Sequence, residues 1–313
     1  MNTSVQKQNI LNRLWVYQKE RFPVIQHGML IASFSFCAVC LSSLLRFSQA
    51  WPDLQITLTA FGCLFLFFLQ LRIADEFKDH ENDAKFRPER PVPRGLITFN
   101  ELKWLGMISA GIQVLLCLLL YPPLILLLFA VWVYMALMSV EFFVPTWLKQ
   151  HSFIYLWTHM LIMPAIDLFA TGCDWLQHQA VPPEGLLWFL IVSFFNGVVI
   201  EIGRKTWAPE EERVGVESYS SDWGIKPAIA VWIAAILLSF VCACVVAMTL
   251  SFFVPVFSLL LVMVVVVVML GIRFMQNPSK QKSKWLENAS ALWVASLYLI
   301  LGVIPMGYSV WLN

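Results

Sequence analysis

The chain has 313 residues, of which 59% are hydrophobic and 13% charged, and its net charge is +1. A soluble domain carries roughly 25% charged residues, so a soluble globular protein is excluded and an all-α, polytopic membrane bundle is expected. The small net charge says less than its distribution along the chain, and no nucleic-acid partner is expected.

Residues 1–23 are polar and basic and carry no convincing secretory signal. Hydrocarbon about 30 Å thick requires about 20 apolar residues per helix. That length predicts about nine spans, at 24–46, 53–74, 100–120, 123–144, 152–171, 185–206, 226–248, 251–273 and 288–311. Together they make a single membrane domain covering 1–313. Breaks fall at Tyr121-Pro122-Pro123, Val144-Pro145, Pro182-Pro183, Val254-Pro255 and Asn277-Pro278. Most of the seven cysteines, Cys37, Cys40, Cys63, Cys117, Cys173, Cys242 and Cys244, lie inside apolar runs. Cys37 and Cys40 have redox or metal spacing, but no His or second Cys pair is near them, so they read as small apolar residues.

Lysine and arginine set the orientation. Lys7, Arg13, Lys19 and Arg21 precede the first span, Lys78, Lys85, Arg87, Arg90 and Arg94 follow the second, and Arg204, Lys205, Arg213 and Lys226 follow the sixth. Arg46 is the one basic residue of 21 on the other side, which leaves 20 on the side that the positive-inside rule makes cytoplasmic. The N-terminus is therefore expected inside and the C-terminus outside. Two loops, at about 75–100 and 201–225, mix acidic and basic residues and are the expected active-site loops.

In the first loop Asp75, Asp79 and Asp83 recur at i, i+4 and i+8, so one helix would stack them along a single face. Like charges at that spacing repel unless a cation neutralises them, and oxygen ligands suit Mg²⁺, which takes one or two carboxylates plus substrate phosphates. Arg72 lies one turn earlier. The stretch Arg87-Pro88-Glu89-Arg90-Pro91-Val92-Pro93-Arg94-Gly95 follows, stiffened by its prolines. With Lys85, its arginines suit phosphate oxygens, which guanidinium binds by forked hydrogen bonds. A plain solvated, salt-bridged helix end would not call for that neighbouring run. In the second loop Glu201 ends an apolar helix, with Arg204 and Lys205 one turn on. Glu210, Glu211 and Glu212 follow Pro209 and either supply metal ligands or cap a helix.

Isolated polar residues within spans are His159, Asp167 and Asn196. They either contact a bound substrate or acceptor, relay a proton, or hydrogen-bond between helices. A transporter is the competing class, since intramembrane acids also mark ion pathways. The acids here gather at one face and not at the midplane.

These residues resemble the UbiA family of intramembrane prenyltransferases. The family's first motif, Asn-xxx-Asp-xxx-Asp with a following Arg-Pro stretch ending in Gly, is matched by Asp75, Asp79 and Asp83, then Arg90, Pro91, Arg94 and Gly95, with Asp75 replacing the Asn. The second motif, Asp-xxx-Asp before Gly-x-x-Ser, is matched at Gly215 and Ser218. Glu211 takes its second acidic position and Trp207 the first, with Glu201, Glu210 or Glu212 as substitutes. The resemblance implies nine helices and a Mg²⁺-dependent enzyme that ionises an allylic isoprenyl diphosphate. Asp75, Asp79, Asp83, Glu201, Glu210 and Glu211 would be metal ligands, and Arg72, Lys85, Arg87, Arg90, Arg94, Arg204 and Lys205 would hold the diphosphate. The prenyl group would pass to a hydrophobic, aromatic acceptor, or the cation would cyclise on its own chain as in terpene-forming relatives.

Overall fold

The computed structural model describes residues 9–179, 181–213 and 215–312, and among them every regular element is a helix. Lys7, one of the basic residues counted above, lies outside the described residues. In chain order the α-helices are α1 (Ile10–Arg21), α2 (Val24–Leu45), α3 (Leu54–Lys78), α4 (His80–Phe86), α5 (Phe99–Leu120), α6 (Leu124–Ser139), α7 (Pro145–Gln150), α8 (Ser152–Met160), α9 (Ile162–Trp175), α10 (Leu186–Arg204), α11 (Tyr219–Asp222), α12 (Ile225–Thr249), α13 (Phe253–Gln276), α14 (Lys280–Leu301) and α15 (Val303–Trp311).

Eight helical segments are long and apolar enough to cross a membrane, and the shorter α6 makes the ninth. Two spans are broken in the middle, for the same reason. Proline has no N–H and its ring clashes with the carbonyl four residues back. Pro164 lies four residues after Met160, the last residue of α8, and Pro305 lies four after Leu301, the last of α14. At the second break Gly302 packs so tightly that an added Cβ would sit 2.3 Å from the Cys37 carbonyl oxygen. Only glycine lets α14 and α2 approach this closely.

The fourth span ends at Ser139, short of the expected 144. Glu141, Phe142 and Phe143 all take positive φ, which no L-residue helix continues. The ninth span starts at Lys280, eight residues before the expected 288, and the second runs on to Lys78, so Asp75 lies within it.

The spans close into a ring. α2 packs on α3, α3 on α5, α5 on α6, α6 on α9, α9 on α10, α10 on α12, α12 on α13, α13 on α14, and α14 back on α2. α9 also reaches α2 and α3, filling part of the interior. Buried tryptophans satisfy their N–H groups across helices, Trp232 to Ser290 Oγ at 2.9 Å and Trp293 to Ser239 Oγ at 3.2 Å. All seven cysteines are free and buried.

The two ends of the ring differ. At the end away from the basic loops, Asp174 accepts from Arg46 at 2.7 and 2.9 Å and from Ser42 and Ser43 at 2.7 and 3.0 Å. That network ties α2 to α9 and closes this end. At the basic end, α1 lies against the loop after α4. Tyr17 packs with Ile73, Val92, Ile97 and Leu102. Three ion pairs fasten α1: Arg13 to Glu101, Arg21 to Glu76, and Glu20 to Arg94. The sequence reading treats this stretch only as polar and basic, and the structure makes it a brace.

Candidate active site

The carboxylates of the first loop do not form one stack. Asp79 takes φ −91° and ψ 5°, off the helical basin, so the chain bends between α3 and α4. Asp75 stays on α3, 41% exposed, with Arg72 Nη1 at 3.3 Å. Asp79 makes no ion pair and no side-chain hydrogen bond among the described residues. Asp83, 2% exposed, is held by Arg90 and, at 3.6 Å, by Arg87. The expected face of three aspartates is therefore replaced by two roles. The bend at Asp79 turns Asp83 away, and the proline-stiffened loop folds its own arginines onto it. Arg94 is likewise committed, to Glu20 at 2.8 Å through both nitrogens and to the Glu89 carbonyl at 2.6 Å. Lys85 is exposed beside the Phe86 ring.

The second loop also divides its acids. Glu201 is clamped by Lys205 at 2.8 Å and Arg204 at 2.5 Å. Glu210 accepts from the backbone N–H of Lys280 at 2.7 Å and so caps α14. Glu212 accepts from Ser218 and Ser220 at 2.7 Å, crossing its own loop. Glu211 lines a cavity of about 410 Å³ with Arg204, Trp207, Lys280 and Lys284, and its Oε2 is buried without a partner. Trp207, at the position where the resemblance expects an acid, is an anchor: its indole donates to the Arg204 carbonyl at 3.0 Å and its backbone N–H to Ser220 at 2.8 Å.

The two loops meet. Asn82 donates to the Gly215 carbonyl at 3.3 Å. Gly215 has φ +77°, and a Cβ there would stand 2.5 Å from the Phe86 ring. This contact sets the α3 end opposite the α10 end. Arg204 comes within electrostatic reach of Asp75 and Arg72, and Asp79 within reach of Asp75, Lys78, Tyr155 and Arg87. Lys78 donates to the Tyr155 hydroxyl at 2.7 Å. Tyr219 lies under Lys205, and burial, with the Glu201 charge, pushes its phenol well above the ordinary value, so it remains a neutral donor. A smaller cavity of about 110 Å³ lies between Tyr155, Lys205, Tyr219 and Lys149.

Arg72, Asp75, Asp79, Glu201, Arg204 and Lys205 are thus brought together, with Arg87 reaching Asp79 from its pair with Asp83, while Arg90, Arg94, Asp83 and Glu210 tie the loops and Lys85 stays exposed. Lys78, Tyr155 and Tyr219 join the basin without having been singled out from sequence. For Tyr155 a signal existed, since it precedes His159 by one helical turn. Deeper in the ring, Asn196 is 1% exposed and His159 7% exposed, and among the described residues neither amide atom of Asn196 nor His159 Nε2 has a hydrogen-bond partner. Asp167 instead accepts from Tyr298, whose hydroxyl is also 3.5 Å from Ser193. That is an interhelical tie.

Among the described residues no three His, Cys, Asp or Glu side chains form a ready-made metal cluster. Mg²⁺ does not require one, because it keeps waters and shares its shell between one or two carboxylates and substrate phosphates. The partner-free Asp79, the half-exposed Asp75 and, across the basin, Glu201 are hard oxygen donors of that kind.

A ring of eight membrane-length helical segments and the shorter α6, with a charged basin at its basic end, defines a polytopic membrane protein with a polar site at one end of an apolar interior. The chain belongs to the UbiA prenyltransferase family, whose model matches residues 35–297. Solved structures agree on the fold. One, described as giving structural and mechanistic insights into the biosynthesis of digeranylgeranylglyceryl phosphate synthase in membranes, shares 15% identity at TM-score 0.64, covering 95% of this chain and 99% of that one. An apo structure of a UbiA homolog from Aeropyrum pernix K1 shares 12% identity at TM-score 0.61, covering 92% and 98%. No curated protein matches the chain.

Proposed function

We propose that this membrane enzyme is a Mg²⁺-dependent prenyltransferase that ionises an allylic isoprenyl diphosphate and passes the prenyl group to a hydrophobic, aromatic acceptor. One observation carries the reading. Asp75 lies within electrostatic reach of the Arg204 guanidinium, and Asp79, beside Asp75, makes no ion pair or side-chain hydrogen bond among the described residues, in a basin that tops an apolar ring. An apolar chain would lie in the ring, and its diphosphate would reach the basin.

Mg²⁺, when bound, neutralises diphosphate charge and stabilises the leaving group. Asp75, Asp79 and Glu201 would hold it. Arg72, Arg204 and Lys205 would bind the diphosphate oxygens, with Lys78 and Tyr219 as further donors at the rim. These groups are fixed before reaction by Glu201, Tyr155 and the α1 brace, so little reorganisation accompanies charge development. The apolar wall keeps water from the allylic cation. The concentration of basic residues at this end supports a cytoplasmic position for the basin, with the N-terminus inside.

The test uses purified protein, geranylgeranyl diphosphate and Mg²⁺, with and without 1-naphthol as aromatic acceptor. Prenylated naphthol formed only with acceptor supports transfer. A cyclic hydrocarbon or alcohol formed without acceptor refutes transfer and favours the cyclase reading, which the loss of an acid at Trp207 also motivates.

A further inference from the structure

We infer that His159 is a catalytic base whose Nε2 removes the proton that ends the reaction, an assignment that rests on the prenyl-diphosphate reading above. Its Nδ1 lies 2.9 Å from the Tyr155 carbonyl oxygen, one turn back on α8. A carbonyl only accepts, so Nδ1 carries the hydrogen and Nε2 presents a lone pair. The Thr158 hydroxyl, 3.5 Å from Nδ1, is already committed to the Ile154 carbonyl at 2.9 Å. Nε2 is buried and has no partner among the described residues. A buried acceptor left unmatched is disfavoured unless a bound group brings a hydrogen to it.

The ring is held in place. It stacks on Tyr155 at 3.8 Å and 13°, and the Tyr155 hydroxyl is fixed by Lys78. The Phe142 ring stands edge-on at 6.3 Å. The charged groups around it are Lys78 from α3 and Glu201 and Lys205 from α10, with Glu141 and Asp79 acting on the stacked Tyr155. α8 meets α10 where Met160 and Met163 crowd Gly197, the neighbour of Asn196. Asn196 precedes Glu201 by five residues, so it lies about 7.5 Å deeper along α10. His159 on α8 and Asn196 on α10 thus each carry unpartnered polar atoms on packed helices below the proposed diphosphate basin, the depth at which an allylic carbon would lie.

In the reaction the allylic C–O bond breaks and its electron pair leaves with pyrophosphate. Aromatic π electrons of the acceptor form the new C–C bond. The C–H bond at that carbon then breaks, its electrons restore aromaticity, and the proton goes to Nε2. Should the cation instead react within its own chain, Nε2 takes the proton that yields an olefin.

The experiment measures pyrophosphate and organic products separately, across pH, for wild type, His159→Asn and His159→Ala supplied with 1-naphthol. His159→Asn keeps an N–H at the Nδ1 position and removes Nε2. It is expected to hold pyrophosphate release within about threefold of wild type, while prenylated naphthol and olefins fall about 100-fold and water-captured prenyl alcohol rises. Product formation in wild type falls as pH drops, because protonated Nε2 cannot accept. That limb should vanish in His159→Asn, and free imidazole should restore product to His159→Ala. Unchanged product ratios and pH profile, or a parallel loss of pyrophosphate release and product without imidazole rescue, would overturn the assignment. A wild type that releases no pyrophosphate at all would bring down the underlying reading and this one with it.

Discussion

Asp79→Asn should stop turnover without weakening the protein, whereas Asp83→Asn should weaken the protein. Asp79 has no ion pair or hydrogen bond to lose, so its substitution should change stability by no more than about 0.5 kcal/mol. In the proposed reaction it would remove a charge that serves the Mg²⁺-diphosphate, and losing one such electrostatic group lowers turnover roughly 10²- to 10³-fold. Asp83 is 2% exposed and holds two arginines. Breaking a buried pair costs about 3–5 kcal/mol. The Arg90 and Arg87 side chains are 21% and 28% exposed and regain some hydration, which puts the loss near the lower limit. About 3 kcal/mol corresponds to a melting shift of roughly 6 °C or more. The assay pairs thermal unfolding of purified protein with pyrophosphate release from geranylgeranyl diphosphate. Equal destabilisation by the two variants, or wild-type release from Asp79→Asn, would refute the division of roles.

Arginines on the two sides of the same argument should separate as well. Arg204→Ala should reduce pyrophosphate release about 100-fold, while Arg94→Ala, which breaks a half-exposed pair with Glu20 and a hydrogen bond to the Glu89 carbonyl, should cost about 1–2 kcal/mol and leave release near wild type. Gly215→Ala forces a Cβ into the Phe86 ring at a left-handed φ, so the two loops should part. Lower turnover with unchanged membrane insertion is the expected readout, and full activity would count against the loop contact. Tyr298→Phe leaves Asp167 without its closest donor and should lower the melting point by the equivalent of about 1–3 kcal/mol, with pyrophosphate release per folded molecule unchanged. A selective loss of activity would instead make Asp167 functional.

The spans were legible because apolar length alone marks a membrane helix: eight appear as helices long and apolar enough to cross and the expected fourth as the shorter α6, with ends shifted by up to eight residues. The shifts have local causes that hydropathy misses. Positive φ at Glu141 to Phe143 shortens α6, and helical basic residues lengthen α14. The candidate site was legible as residue types and not as pairs. An i, i+4 pattern shows that Asp75, Asp79 and Asp83 can share a face, but it cannot show the bend at Asp79. Nor can it show that Arg87, Arg90 and Arg94 are consumed by Asp83 and Glu20, because those partners depend on how a proline-rich loop returns. The three glutamates after Pro209 split for the same reason: Glu210 is taken up by a contact distant in sequence and Glu212 by one across its loop, which leaves Glu211 lining the cavity. α1 was missed because a short helix with few apolar residues has little periodic signal, and its stability comes from three ion pairs to distant segments.

The central claim is that the basin holds a diphosphate with Mg²⁺ and breaks its allylic bond. Pyrophosphate release by the purified wild-type protein from geranylgeranyl diphosphate tests it most directly, measured with Mg²⁺, after chelation, and after Mg²⁺ is restored. The account predicts release with Mg²⁺, none after chelation, and full recovery on restoration. Release that survives chelation, or none in any condition, would contradict it.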